Sequence, residues 1–237
     1  MRIYIFVFLS SLSYNTVFSQ ISDNYKSKNQ LELSTGYNSG FLKNLALAPL
    51  SRYEYNGLNH QLKYIRTTKR ENLFEIQLDY FKSDLTSDLI PALNIKDYSK
   101  ATLNFSYLKK VYNKNKFTIH AGLQSQTSIS SLFKWEIYDF QQKLGIAGRF
   151  TLKLEEKQTL SAKLTIPFLM WRTSTFEENF YLLNSYQSVL WNIEYKYKLS
   201  RHIALKAGYN FNYDRLQIPN AYRELQHQIN LGINYEF

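Results

Sequence analysis

Few side chains in this sequence could carry acid–base or nucleophilic chemistry. Its 237 residues include four histidines and no cysteine, so disulfides, thiolate metal sites and thiol nucleophiles are excluded. The histidines are His60, His120, His202 and His227. A hydrolase would need one of them as base, within hydrogen-bond reach of a hydroxyl nucleophile and oriented by a carboxylate. A carboxylate-and-histidine protease would need Asp79, Asp84 or Asp214 to meet a histidine. A metal site would need two histidines on one face at ligand spacing. Each demand turns on which face of which element carries the residue.

Those elements read as strands. Leu225 to Phe237 runs LQHQINLGINYEF, with Leu225, His227, Ile229, Leu231, Ile233, Tyr235 and Phe237 on one face. Gln226, Gln228, Asn230, Gly232, Asn234 and Glu236 occupy the other. A period of two held this long predicts a strand between an apolar medium and a polar interior. From about Asn29 the same alternation recurs in Leu31–Tyr37, Leu58–Tyr64, Phe74–Tyr80, Ala101–Tyr107 and Phe117–Leu123. It continues in Leu144–Leu154, Leu160–Phe168, Val189–Tyr197 and Ile203–Tyr213.

The connections alternate in length. Long ones are Phe41–Gly57, the segment through Asp84, Pro91 and Asp97, Ser130–Phe140, Thr173–Asn184 and Leu216–Glu224. Short ones are Thr67–Asn72, Asn113–Lys116, Glu155–Gln158 and Ser200–His202. Pro49, Pro91 and Pro219 fall in long connections, whereas Pro167 falls inside a strand and predicts a bulge or an early strand end there. The pattern predicts an all-β fold: a closed antiparallel transmembrane β-barrel of about ten strands, with eight or twelve the alternatives. A soluble sandwich would have no need of so regular a rhythm.

Composition agrees. Aromatic residues make up 16%, with 20 Tyr and 16 Phe against 8 Gly and 4 Pro, as suits pleated surfaces. Tyr64, Phe74, Tyr107, Phe117, Tyr195, Tyr197, Tyr235 and Phe237 fall at the short-turn ends of their strands, and Tyr37, Tyr80, Phe168, Phe211 and Tyr213 near the other ends. Two such bands are the interfacial girdles of a membrane barrel. The negative mean hydropathy excludes a helical membrane bundle but not a barrel, in which only alternate residues meet lipid. The net charge of +10 is scattered rather than concentrated in a run or on one face, so a nucleic-acid partner is not expected.

Residues 1–19 read as a secretory signal peptide: Arg2, an apolar run Ile3–Leu12, then Val17 and Ser19 at the small-residue cleavage positions. The mature chain would start at Gln20, and losing Arg2 takes the charge from +10 to +9. Residues 20–28 would form a periplasmic N-terminal segment and 29–237 the barrel.

The signal peptide, the alternating strands, the long–short rhythm and the terminal NLGINYEF resemble small Gram-negative outer-membrane β-barrel proteins. That resemblance implies an outer-membrane location with both termini periplasmic, and outer-membrane lipids as surroundings. It also implies the barrel-assembly machinery as a partner in biogenesis, with Tyr235 and Phe237 as the assembly signal. It carries over no active site.

With faces assigned, the chemistry thins out. His120 faces the lumen near the periplasmic end, His202 lies in a turn, and His60 and His227 face lipid, where their strand neighbours are Leu58, Leu62, Leu225 and Ile229 and no serine is evident. No catalytic residue, metal ligand or cofactor site is assigned, and a lipid hydrolase or acyltransferase ranks last among the functions. Charged positions expected in the lumen are Glu32, Lys63, Glu75, Asp79, Lys110, Arg149, Lys153, Lys163, Glu194, Lys196, Lys206, Asp214 and Glu236. In a barrel this narrow they should fill the interior as ion pairs. Exposed loops are the expected functional surface, with Phe133, Trp135, Tyr138, Phe176, Phe180 and Tyr181 as contact candidates. The expected function is a non-enzymatic accessory or interaction protein meeting an unidentified protein partner through those loops. A narrow channel for small solutes is the alternative.

Overall fold

A computed structural model describes residues 28–44, 52–132, 137–175, 178–217 and 221–237. The expected signal peptide and nearly all of the N-terminal segment lie outside the described residues, as do Phe133, Trp135, Phe176, Pro49 and Pro219. The chain forms β1 (Lys28–Asn44), β2 (Tyr53–Thr67), β3 (Leu73–Ser87), a 3-10 turn (Pro91–Leu93), β4 (Ile95–Lys114), β5 (Phe117–Leu132) and β6 (Ile137–Lys153). β7 (Gln158–Ser174), the short β8 (Glu178–Leu182), β9 (Tyr186–Lys198), β10 (Ile203–Leu216) and β11 (Tyr222–Glu236) complete it.

Ten of these strands form a closed antiparallel ring. Each pairs with its sequence neighbours, β7 passes over β8 to pair with β9, and β11 returns to β1. The closing seam runs from Gln30 opposite Glu236 to Asn44 opposite Tyr222. Closure leaves the wall without an unpaired edge, which a membrane-spanning sheet requires. At Gly36 the two backbones come so close that a Cβ would stand 1.8 Å from the carbonyl oxygen of Ile229.

The faces follow the sequence alternation. Leu33, Leu58, Ile146, Ile229 and Leu231 are each more than 60% exposed on the outside. Glu32, Asn59, Gln61, Lys63, Glu75 and Glu194 are at most 2% exposed inside. Apolar outside and polar inside is the inverse of a soluble protein and the pattern of a barrel in lipid.

Pro167 produces the expected bulge. Leu144 pairs with Leu169 while Gly145 pairs with Pro167, so Phe168 has no partner. Proline offers no N–H to the ladder, and the extra residue flips the register beyond it. Met170 and Arg172 therefore point inward and are buried.

The strands run further than the expected connections allow, because outward polar residues end the lipid-facing pattern but not the backbone pairing. Much of each assigned long connection is strand. Thr173–Asn184 in particular contains β8, which pairs along the upper part of β7 from Leu169 opposite Leu182 to Thr173 opposite Glu178.

Candidate functional site

The interior is built in tiers, because each strand contributes an inward side chain at every second residue. At the short-turn end Ile65, Leu73, Leu108 and Ala147 form a small apolar floor. Beside it Lys110 pairs with Glu71 at 2.6 Å, and the Nε2 of His120 lies 3.0 Å from the Glu71 carbonyl oxygen.

Above the floor, eight charged groups form one connected network. Lys206 Nζ lies 2.8 Å from Glu32 and 3.1 Å from Glu194. Lys63 reaches Glu194 at 2.7 Å, and Arg149 joins Glu194 at 3.3 Å and also bonds Glu75. Lys163 meets Glu75 at 2.7 Å, and Lys196 pairs with Glu32. Five bases face three carboxylates, an excess of two positive charges (5 − 3 = 2). Such a network fixes geometry more than it stabilises, because desolvating the ions offsets much of their attraction.

Asp79 stands apart, accepting bonds from the amides of Gln61 and Gln77 at 2.7 and 2.8 Å. It borders a cavity of about 60 Å³ lined by nine Asn and Gln side chains together with Lys63, Lys100 and Lys163. That is room for a few waters.

At the long-connection end a second ionic tier is interleaved with aromatic rings. Glu224 accepts from Lys100 at 2.5 Å, from Tyr222 at 2.5 Å and from Tyr55 at 3.1 Å. Asp214 accepts from Lys143 at 2.6 Å and from Tyr186 at 2.9 Å. Arg172 grips both oxygens of Asp139, at 3.0 and 2.9 Å. Tyr53, Tyr98, Phe81, Leu85, Met170, Tyr181 and Leu216 pack among these groups as one buried cluster. Burial and the adjacent Glu224 carboxylate hold the Tyr222 hydroxyl well above the ordinary phenol range.

Of the charges expected inside, Glu32, Lys63, Glu75, Asp79, Arg149, Glu194, Lys206 and Asp214 are buried, and Lys163 and Lys196 are nearly so. Lys110 and Glu236 sit at the short-turn rim, Glu236 pairing with Lys28 and Lys198. Lys153 is a correction: it has the inward parity, but as the last residue of β6 it sits at the short-turn rim and is exposed. Tyr181 is another, because β8 alternates, leaving Phe180 72% exposed and turning Tyr181 into the lid at 5%. Tyr138, 43% exposed, is on the surface of β6 rather than in a loop. Lys100, Asp139, Lys143, Arg172 and Glu224 were missed, though inward alternation running on past the apolar stretches would have revealed all but Arg172. That residue is inward only because of the bulge.

The histidines also differ in their neighbours. Thr35 Oγ1 lies 3.1 Å from His60 Nδ1, Ser39 is opposite His227 across the seam, and Tyr209 bonds His227 at 2.7 Å. Cross-strand hydroxyls thus replace the purely apolar surroundings expected from each strand alone. No carboxylate completes either pair among the described residues, and no group of three or more His, Asp or Glu there could hold a metal ion.

Among solved structures, the outer membrane protease OmpT of Escherichia coli superposes with a TM-score of 0.61 at 8% identity, covering 92% of this chain and 99% of that one. This is the fold of a Gram-negative outer-membrane β-barrel. An outer membrane channel from Pseudomonas putida F1 follows at TM-score 0.47 and 8% identity, over 92% and 100% of the two chains. The attachment invasion locus protein Ail of Yersinia pestis gives 0.33 and 10%, over 88% and 98%. No protein-family profile and no curated sequence matches the chain. At such identities the likeness concerns the outer-membrane barrel fold alone, since one barrel hosts unrelated functions.

Proposed function

We propose that this protein is a non-conducting barrel of the outer membrane, exported by a cleaved signal peptide. Its long-connection end faces outward and its two termini lie in the periplasm. Its role is accessory, exercised at the outer rim. The observation that carries this reading is the filled interior, with an apolar floor, an eight-group ion network and an aromatic–ionic lid stacked along one axis. Wide diffusion pores use about 16 strands, and ten leave little room once long side chains project inward. At the rim, β8 pairs on one side only among the described strands and carries exposed Phe180 and Leu182. An open strand edge of this kind suits a protein partner that adds a strand.

Refolded protein in planar bilayers tests the closed lumen. No conductance steps are expected, and regular steps would favour the second reading, a narrow channel. That reading draws on the two extra positive charges beside the cavity. A photocrosslinker at Phe180 in cells would capture the partner. Heat-modifiable migration and recovery with outer-membrane fractions are expected, and a soluble periplasmic product would overturn the location.

A further inference from the structure

A row of basic side chains crosses the outside of the wall with no counterion among the described residues. Lys43 on β1, Arg223 on β11 and Arg215 on β10 all have outward parity, and they stand in direct register, Lys43 opposite Arg223 and Arg223 opposite Arg215. At about 4.8 Å per strand the three span about 10 Å. Like charges directly opposite one another destabilise a sheet, and an anion over the row would relieve that repulsion. None of the three forms an ion pair among the described residues.

Their neighbours do not supply that anion. The adjacent outward carboxylate on β2, Glu54, is held by Arg52 at 3.0 Å. On the other flank Arg215 is opposite Gln187 of β9, which is neutral. Asp214 and Glu224, next in sequence to two of the bases, point inward to Lys143 and Lys100. Two strands along the wall the situation differs, since the outward Lys82 of β3 is paired with Asp97 at 2.7 Å.

The height of the row identifies its ligand. Below each base the next outward residue is apolar: Phe41, Leu225 and Tyr213. From Leu31 to Phe41 are ten residue steps, and at about 3.3 Å each with a tilt of about 40° they rise about 25 Å, the height of the apolar band of an outer-membrane barrel. The bases therefore begin where the acyl chains end.

We infer that Lys43, Arg223 and Arg215 form a site for the phosphate groups of an outer-leaflet glycolipid of the lipid A type. Arginine holds phosphate through paired N–H donors, and Phe41, Leu225 and Tyr213 lie where the lipid's acyl chains would pack. This rests on the proposed outer-membrane placement with the long connections outward.

The test reconstitutes the full mature chain in phosphatidylcholine vesicles doped with lipid A or with its dephosphorylated form, and measures the lipid retained after detergent extraction. Lipid A should be retained and the dephosphorylated form lost, a contrast that needs no variant. The K43Q/R215Q/R223Q variant should lose affinity by roughly a hundredfold, each interfacial cation contributing on the order of fivefold. K82Q/K96Q, on β3 and β4 outside the row, should bind as the parent does, and millimolar inorganic phosphate should not displace the lipid. Equal retention of the two lipids, undiminished binding by a triple variant that keeps its heat-modifiable migration, or displacement by phosphate alone would overturn the site. Cell fractionation is scored separately, so a failed location and a failed lipid site give different results.

Discussion

The guanidinium of Arg172 lies 4.8 Å from the centre of the Tyr222 ring while bonding both oxygens of Asp139. One buried cation thus ties β7, β6 and β11 across the mouth of the barrel, and Tyr222 continues the tie to Glu224.

Arg172→Ala should therefore loosen it sharply. Removing one partner of a buried ion pair costs about 3–5 kcal/mol, and the cation–π contact adds about 1–2 kcal/mol. Denaturant unfolding followed by tryptophan fluorescence should show the loss. Asp139→Asn/Arg172→Met, which leaves no uncompensated charge, should recover most of it.

Glu194 receives Lys63, Lys206 and Arg149 at once. Glu194→Ala leaves all three with fewer acceptors and should destabilise by about 3–5 kcal/mol. Lys63→Met should partly rescue it, and a double-mutant cycle giving simple additivity would contradict the network.

Alkali should act on the lid through Tyr222. Its folded pKa is raised above the ordinary value of 10.0 by burial and Glu224. A phenol that holds its proton more tightly when folded contributes fully below that ordinary value, and the contribution is lost as pH rises toward the folded pKa. Stability should decline above about pH 10, and Tyr222→Phe should flatten the decline. Absorbance titration of phenolate, parent against variant, reads both.

Gly36→Ala should disturb the seam rather than the lumen. The new methyl would meet a backbone carbonyl, which cannot swing aside, so a cost of about 1–3 kcal/mol is expected. A reduced heat-modifiable fraction on refolding would register it.

The wall was legible from sequence because lipid forces a strict period of two on every membrane-crossing strand. Leu225 to Phe237 declares its two faces without ambiguity, and Pro167 announces its bulge. The lid was harder to read. Its alternation runs on past the apolar band, but there the outward residues, such as Glu54 and Arg223, are as polar as inward ones, so Tyr55, Tyr98 and Tyr222 look like ordinary loop aromatics. Which inward charge meets which depends on placing β2 opposite β9, as in Lys63 and Glu194, 131 residues apart. No local pattern encodes that distance. The Lys43, Arg223 and Arg215 row escaped for the same reason, since it exists only in cross-strand register.

The seam between β1 and β11 has a kinetic consequence. Its contacts join residues about two hundred positions apart, Gln30 with Glu236 among them. A contact of such sequence separation is slow to form by random search, and until it forms β1 offers a bare hydrogen-bonding edge to any passing strand. β1 must wait for β11. Shielding that edge during transit is thus a demand the topology places on the cell, and aggregation is the expected fate of chains truncated before β11.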